Sequence, residues 1–223
     1  MGDRASKDAL FDALAAAARA LGSGRRAELI DVLVQGERSV DELAEEIGQS
    51  VANTSQHLQH LLRAGLVGTR RQGTRIFYSL AGPAVAQLWA VLRQVAEDHV
   101  GELDELAAAY LGDRSGLDTL SRADLLERLE AGDVVVLDVR PAAEYQAGHI
   151  ARAISVPIAE LEDRLRELPA DRAVVAYCRG PYCAYADDAV RLLRRHGLRA
   201  ARLDDGFPEW AGAGMPVQPN PAG

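Results

Sequence analysis

Residues 174–190 read VVAYCRGPYCAYADDAV and hold both cysteines of the 223-residue chain, Cys178 and Cys183. An apolar run of β type ends on the first cysteine. A short Arg-Gly-Pro turn follows, then the second cysteine, then a pattern of helical period. A cysteine at the C-terminal end of a parallel strand, followed by a turn into a helix, sits in the crevice where α/β folds bind ligands. Loop amides and a helix N-terminus aimed at the sulfur are expected to lower its pKa and to hold an anion there. Gly180 and Pro181 allow the chain to wrap tightly round one atom, and such a cradle suits a thiolate or a persulfide anion.

Working outward, VVVLDV (134–139) is a second continuous apolar run. Runs of this kind suit strands buried on both faces of a parallel sheet. Helical patterns at 121–131, 159–168 and 184–196 alternate with them, and RAARL (199–203) reads as a further strand. This half is an α/β layer structure. The segment GDRSGLD (112–118) has two glycines, charge and no periodicity, and reads as a linker.

Everything before the linker is nearly all helix. Segments 7–21, 24–35, 40–47 and 50–64 carry apolar residues at helical spacing, with Gly22, Gly36, Gly48 and Gly65 at their ends. Two short strand-like runs, 66–70 and 75–80, flank a Gln72-Gly73 turn and make a β-hairpin. From Gly82-Pro83 a single helix is expected to run to about Leu111, roughly 40 Å long. Its apolar stripe (Val85, Leu88, Trp89, Leu92, Val95, Leu103, Leu106) calls for a partner, and a second subunit is the expected one. The fold class is therefore two domains, a mainly-α winged helix-turn-helix followed by an α/β parallel sheet.

Composition and charge narrow the function classes. The chain is 48% hydrophobic and 26% charged, as in soluble globular proteins, and no membrane span is expected because Asp12 and Arg19 interrupt the N-terminal run. Two cysteines make no disulfide framework, so a cytoplasmic, reducing location is expected. The net charge of −8 argues against nucleic acid until its distribution is read. No Asp or Glu occurs between Glu46 and Glu97, whereas Arg63, Arg70, Arg71, Arg75 and Arg93 do. That window is either a phosphate-seeking surface or simply a solvated basic face.

Helix 40–47, the turn at Gly48 and helix 50–64 form a helix-turn-helix. The second helix opens with small polar side chains (Ser50, Asn53, Thr54, Ser55, Gln56, His57), which suit the reading of base edges in a major groove. The hairpin with Arg70, Arg71 and Arg75 is then a wing placed on phosphates or in a minor groove. The stretch from GRRAELIDVL to TRIFYSL, with its S-x-x-x-x-S-x-H-L-x-x-L pattern, resembles the winged-helix domain of the ArsR/SmtB family over nearly all of residues 7–111. The resemblance implies a homodimer that represses transcription by binding operator DNA and leaves it when an inducer binds. Metal-sensing members carry clustered Cys, His and Asp ligands. This half has no cysteine, and His99 and Glu102 face Ala86 and Leu88 where further ligands would be needed, so no metal is expected. His57 and His60 sit one turn apart, and His57, at a family motif position near the DNA, is read as structural or phosphate-facing.

The second half resembles a single rhodanese (sulfurtransferase) domain over about residues 117–219. LDVRPAAEYQAGHIARAISVP, YCRGPYC and DDGFPEWAGAGMPV carry that resemblance, with DG where GG is usual. It implies Cys178 as the nucleophile that takes sulfane sulfur from a donor such as thiosulfate or polysulfide, and Arg179, Gly180, Pro181, Tyr182 and Cys183 as its loop. Arg179 is expected to attract the anionic donor, Asp138 to buttress the loop, and Arg140 to pair with Glu144. His149 is expected to be structural. Cys183 stands where Thr, Arg or Ser is common; it is either a resolving thiol or a small residue tucked under the helix start. Phosphatases of related fold need C-x5-R, and the sixth residue after Cys178 is Ala184. The resulting division is 1–111 for DNA binding and dimerisation, 112–118 as linker and 119–223 as the rhodanese-like domain, with no cofactor. Three function classes stay open: a sulfur-responsive repressor, a sulfurtransferase tethered to DNA, and a metal-responsive repressor.

Overall fold

The structure is a computed structural model, described for residues 3–169 and 171–218. It divides into two compact units, Met1–Gln94 and Val95–Gly223. The division falls inside a helix, short of the 112–118 segment expected as linker.

In the first unit, α1 (Arg4–Leu21) and α2 (Gly24–Val34) precede a short strand, β1 (Arg38–Ser39). Next come α3 (Val40–Glu46), α4 (Val51–Arg63) and the hairpin β2 (Val67–Gln72) and β3 (Arg75–Leu80). The sheet order is β1-β3-β2, all antiparallel. α3 starts where Ser39 and Glu42 form a reciprocal capping box: the Glu42 carboxylate accepts from the Ser39 amide at 2.8 Å. Ser50 caps α4 by accepting from the Asn53 amide. Gly48 takes φ +60° in the turn between these helices, a conformation that any side chain would strain. Leu29, Ile30, Leu33, Leu43, Leu58 and Leu61 make the core, with Tyr78 from the wing.

The helix α5 (Pro83–His99) does not run on to Leu111. It ends at Val100–Glu102, and α6 (Leu103–Leu111) is separate. Gly101 in that break has the backbone freedom to end a helix. The expected stripe also divides. Val85 and Trp89 pack on the core of the first unit, and the Trp89 indole donates to Asp31 on α2 at 2.8 Å. Leu88, Val91 and Leu92 remain exposed, as do Leu10, Phe11 and Leu14 on α1.

The second unit continues with β4 (Thr119–Leu120), α7 (Arg122–Ala131), β5 (Val134–Asp138), α8 (Ala142–Ala147), β6 (His149–Ile150) and β7 (Ile154–Ser155). Then follow α9 (Leu161–Arg164), β8 (Ala173–Tyr177), α10 (Tyr185–Arg195), β9 (Ala200–Leu203), α11 (Phe207–Gly212) and β10 (Val217–Gln218). Five strands form a parallel sheet in the order β4-β9-β8-β5-β7, and β10 pairs antiparallel with β6. The helix expected at 159–168 is α9 flanked by two 3₁₀ turns.

The period-2 alternation of a strand divides this core into two layers. Val174 and Ala176 point with Cys178 toward the α10 side, among Leu137, Val190 and Leu193. Val175 and Tyr177 point to the other side, among Leu125, Ile150 and Trp210. Both faces are covered, which is why the strand sequences are continuously apolar.

Candidate functional site

Cys178 follows the last residue of β8, in the middle of the sheet, and is 2% exposed. Its Sγ lies 3.4 Å from the carbonyl oxygen of Cys183 and 3.9 Å from that of Gly180, so the thiol donates into the loop. The Cys183 amide donates to the Gly180 carbonyl at 3.2 Å, which tightens the Arg179–Cys183 turn. Phe207, at the start of α11, donates its amide to the Cys178 carbonyl at 3.0 Å. Gly206 closes the loop from beneath: a Cβ there would stand 2.2 Å from the Gly180 nitrogen. Only glycine permits that approach, so the one glycine kept in the DG pair is the one the backbone needs.

The expected ordering of the two thiols is reversed. Burial pushes the Cys178 thiol well up, and the hydrogen bond to Cys183 and the latter's charge push it further. The amides of Ala186 and Gly180 act in the lowering direction without overcoming burial. Cys183 is brought down, first by the hydrogen bond from Cys178, then against burial by the amides of Arg179 and Tyr185 and by the Arg179 charge. Of the pair, Cys183 ionises the more readily and Cys178 holds its proton the more tightly.

The charged residues around the loop form buried ion pairs. Arg140 is fully buried; it pairs with Asp138 at 2.6 Å, lies in the field of the Glu144 charge, and donates to the Gly148 carbonyl at 2.8 Å. Glu144 also holds Arg179 at 2.6 Å, with Glu144 wholly buried. The guanidinium of Arg179, which also lies over the Tyr185 ring, is thus engaged inside the fold rather than presented to an anionic donor. Asp138 accepts from the Tyr177 hydroxyl and from the Arg140 amide, so it braces the ends of β5 and β8 together. Tyr177 accepts in turn from the Ile150 amide. His149 is buried, stacked on Tyr145 with ring centroids 3.7 Å apart, and bonded to the Tyr145 carbonyl. Pro181 and Tyr182 are half-buried, and Tyr182 donates to Glu97, which also belongs to the second unit, at 3.0 Å.

Three residues of this site escaped the sequence reading. Arg114 bonds Asp187 at 2.5 Å and the Pro181 carbonyl at 2.8 Å. Asp187 is fully buried in the first turn of α10 and also faces Arg202 at 3.1 Å. The only local sign was a doublet, Asp187-Asp188, at a helix start, and nothing near Arg114 announces a partner 73 residues away.

In the first unit the N-terminal turns of α4 present Ser50, Asn53 and Gln56 to solvent, with Ser55 and His57 half-exposed. The Ser50 hydroxyl is already used as a cap. Thr54 is different: it is fully buried, and its hydroxyl has no hydrogen-bond partner. It faces the core with Leu58 and Leu61, one and two turns on, and not a groove. Arg70, Arg71 and Arg75 are exposed on the wing. Arg70 forks onto Glu37, at 2.5 to 3.2 Å, and lies over the Phe77 ring. His60 and His99 are exposed. Among the described residues no three His, Cys, Asp or Glu side chains lie together as metal ligands, and no helix is long and apolar enough to cross a membrane.

These features define a winged helix-turn-helix unit joined to a rhodanese-type parallel sheet. Residues 23–69 match the family model for bacterial regulatory proteins of the arsR family, and residues 121–213 match the rhodanese-like domain. The chain is 51% identical over 211 residues to the HTH-type transcriptional regulator Rv0324 of Mycobacterium tuberculosis, spanning 95% of this chain and 92% of that protein. It therefore belongs to the ArsR-family transcriptional regulators that carry a C-terminal rhodanese-like domain. A sulfurtransferase of Allochromatium vinosum is 35% identical over 94 residues, 42% of this chain and 87% of that protein. A solved structure, the homodimeric winged helix-turn-helix DNA-binding domain (fragment 1–100) of Mb0332 from Mycobacterium bovis, is 42% identical. It covers 46% of this chain and 93% of that one, at a TM-score of 0.42.

Proposed function

We propose that this regulator is a homodimeric repressor whose rhodanese-like domain takes sulfane sulfur onto Cys178, and that the sulfur state of that cysteine sets its affinity for operator DNA. The observation that carries the reading is the loop: a cysteine at the end of the central parallel strand, enclosed by the Arg179–Cys183 turn, with a second thiol beside it. A relative of this chain is named a sulfurtransferase in A. vinosum, and residues 121–213 here match the rhodanese-like domain. With thiosulfate, Cys178–SH and S₂O₃²⁻ give Cys178–S–S⁻ and HSO₃⁻. The sulfur–sulfur bond of the donor breaks, and the thiol proton leaves with the sulfite.

DNA contact is assigned to Asn53, Ser55, Gln56 and His57 at base edges, and to Arg70, Arg71 and Arg75 at phosphates. The cap residue Ser50 serves at the backbone. The exposed apolar residues of α1 and α5 are the surface a second copy would cover. The first unit offers no cysteine, so a thiol-borne signal has to arise on the second.

The test is operator binding by anisotropy, with and without thiosulfate or polysulfide, on the full chain and on Cys178→Ser. Mass spectrometry follows the sulfur. The expected result is a donor-dependent change in affinity of about five- to 150-fold, absent in Cys178→Ser. If Cys178 gains sulfur and affinity stays the same, the tethered sulfurtransferase takes the place of the sensor.

A further inference from the structure

The segment 112–118 lies on the cysteine loop. Arg114 donates to Asp187 at 2.5 Å, to the Pro181 carbonyl at 2.8 Å and to the Cys183 carbonyl at 3.4 Å. Two further arginines of α10 hold the same segment. Arg191 donates to the Asp113 carbonyl at 2.9 Å, and Arg194 to the Gly116 carbonyl at 2.6 Å and to Asp118 at 2.5 Å. A tether that only spanned two domains would have no need of such contacts. Of the three arginines only Arg114 reaches the loop itself.

We infer that Arg114 is a positioning residue: it holds the Pro181–Cys183 backbone in register with buried Asp187, and it carries the sulfur state of Cys178 into the 112–118 segment. The link is the Cys183 carbonyl, which accepts from Cys178 Sγ at 3.4 Å and from Arg114 at the same distance. When Cys178 becomes Cys178–S–S⁻, the thiol proton is gone. Sγ then has no proton to give the Cys183 and Gly180 carbonyls, and the new negative charge is carried by the outer sulfur beside it. Like partial charges repel, and the added sulfur needs room in a site that is 2% exposed. The carbonyls must turn or shift, and that of Cys183 is one of the two that Arg114 grips. The inference deepens the sulfur-responsive reading and rests on it for the signal, but Arg114's grip on the loop is independent of sulfur chemistry.

The experiment uses the full chain and its variants Arg114→Gln, Arg114→Lys and Cys178→Ser. Hydrogen exchange is followed in 112–118 and 179–186, and iodoacetamide alkylation of each cysteine is followed by mass spectrometry. Without a sulfur donor, Arg114→Gln is expected to alkylate at Cys183 and Cys178 roughly tenfold faster, the loss of a charged hydrogen bond, and Arg114→Lys less so. With thiosulfate, exchange in 112–118 is expected to rise in the wild-type chain, to stay flat in Cys178→Ser, and to be already high in Arg114→Gln. Unchanged alkylation in a folded Arg114→Gln overturns the positioning role. If Cys178 gains sulfur and 112–118 does not respond, the transmission is overturned while sulfur transfer stands. If no sulfur is gained, the sulfur-responsive reading and the transmission fall together, and alkylation alone decides whether Arg114 holds the loop. Should Arg114→Gln not fold, Arg114→Lys carries the same comparisons.

Discussion

Glu144 on α8 grips the guanidinium of Arg179 at 2.6 Å, with the carboxylate wholly buried and the arginine nearly so. The side chain that follows Cys178 therefore ties the cysteine loop to the neighbouring crossover. Removing one partner of such a pair strands a buried charge, at about 3–5 kcal/mol. Arg179→Ala is expected to lower unfolding stability by that order in a urea titration. Arg179→Met with Glu144→Leu is expected to recover much of the loss. A change confined to thiosulfate affinity, at full stability, would restore the donor-attracting role to Arg179.

The two cysteines should titrate in opposite directions. Cys183 lies below the ordinary thiol range and Cys178 well above it. Alkylation across a pH series should therefore label Cys183 first, with Cys178 labelled only as the pH climbs past the usual thiol value. In Cys183→Ser the hydrogen bond and charge that oppose Cys178 ionisation disappear, so its labelling should shift to lower pH. Labelling of Cys178 ahead of Cys183 at neutral pH would contradict this ordering.

On the wing, Glu37 occupies Arg70. A phosphate must displace that carboxylate to reach the guanidinium. Glu37→Gln is expected to tighten operator binding severalfold at low salt and to steepen the salt dependence, because one more cation is free to neutralise phosphate. Arg71→Ala is expected to weaken binding to all sequences alike, and Asn53→Ala or Gln56→Ala to change sequence preference. Fluorescence anisotropy at several salt concentrations separates these outcomes.

Thr54 gives the sharpest test of what α4 reads. Its hydroxyl is buried without a partner, so Thr54→Val removes a desolvated polar group at nearly constant volume. The variant is expected to melt at the same or a higher temperature, with operator preference unchanged. Altered base preference would mean that Thr54 turns outward on DNA.

The cysteine site was legible where local rules apply. An apolar run ending on Cys178, a Gly-Pro turn and a helical pattern placed the thiol at the end of a buried parallel strand before any contact was known. The two-domain architecture followed in the same way from the change of period between the halves. Thr54 shows the limit of residue type as a guide: its spacing to Leu58 and Leu61 pointed inward, while its polarity suggested the groove. The helix expected to run from Pro83 to Leu111 shows another, since a continuous apolar stripe can be carried across the break at Gly101 by two separate helices.

What the chain settles alone is what repeats along it: strand and helix period, caps such as Ser39 with Glu42, and turn glycines such as Gly48. Those depend on neighbours a few residues apart, and the backbone geometry dictates them. Ion pairing depends on which strands and helices become neighbours. Arg140 had two acidic candidates, Asp138 and Glu144, and Arg179 none in view. Parallel pairing of β5 with β8 brought Asp138 beside Tyr177, and Glu144 on α8 came to hold Arg179 as well. The same closure brought Arg114 across 73 positions to Asp187. Charges find partners by distance in space and by burial, and only the folded sheet sets either one.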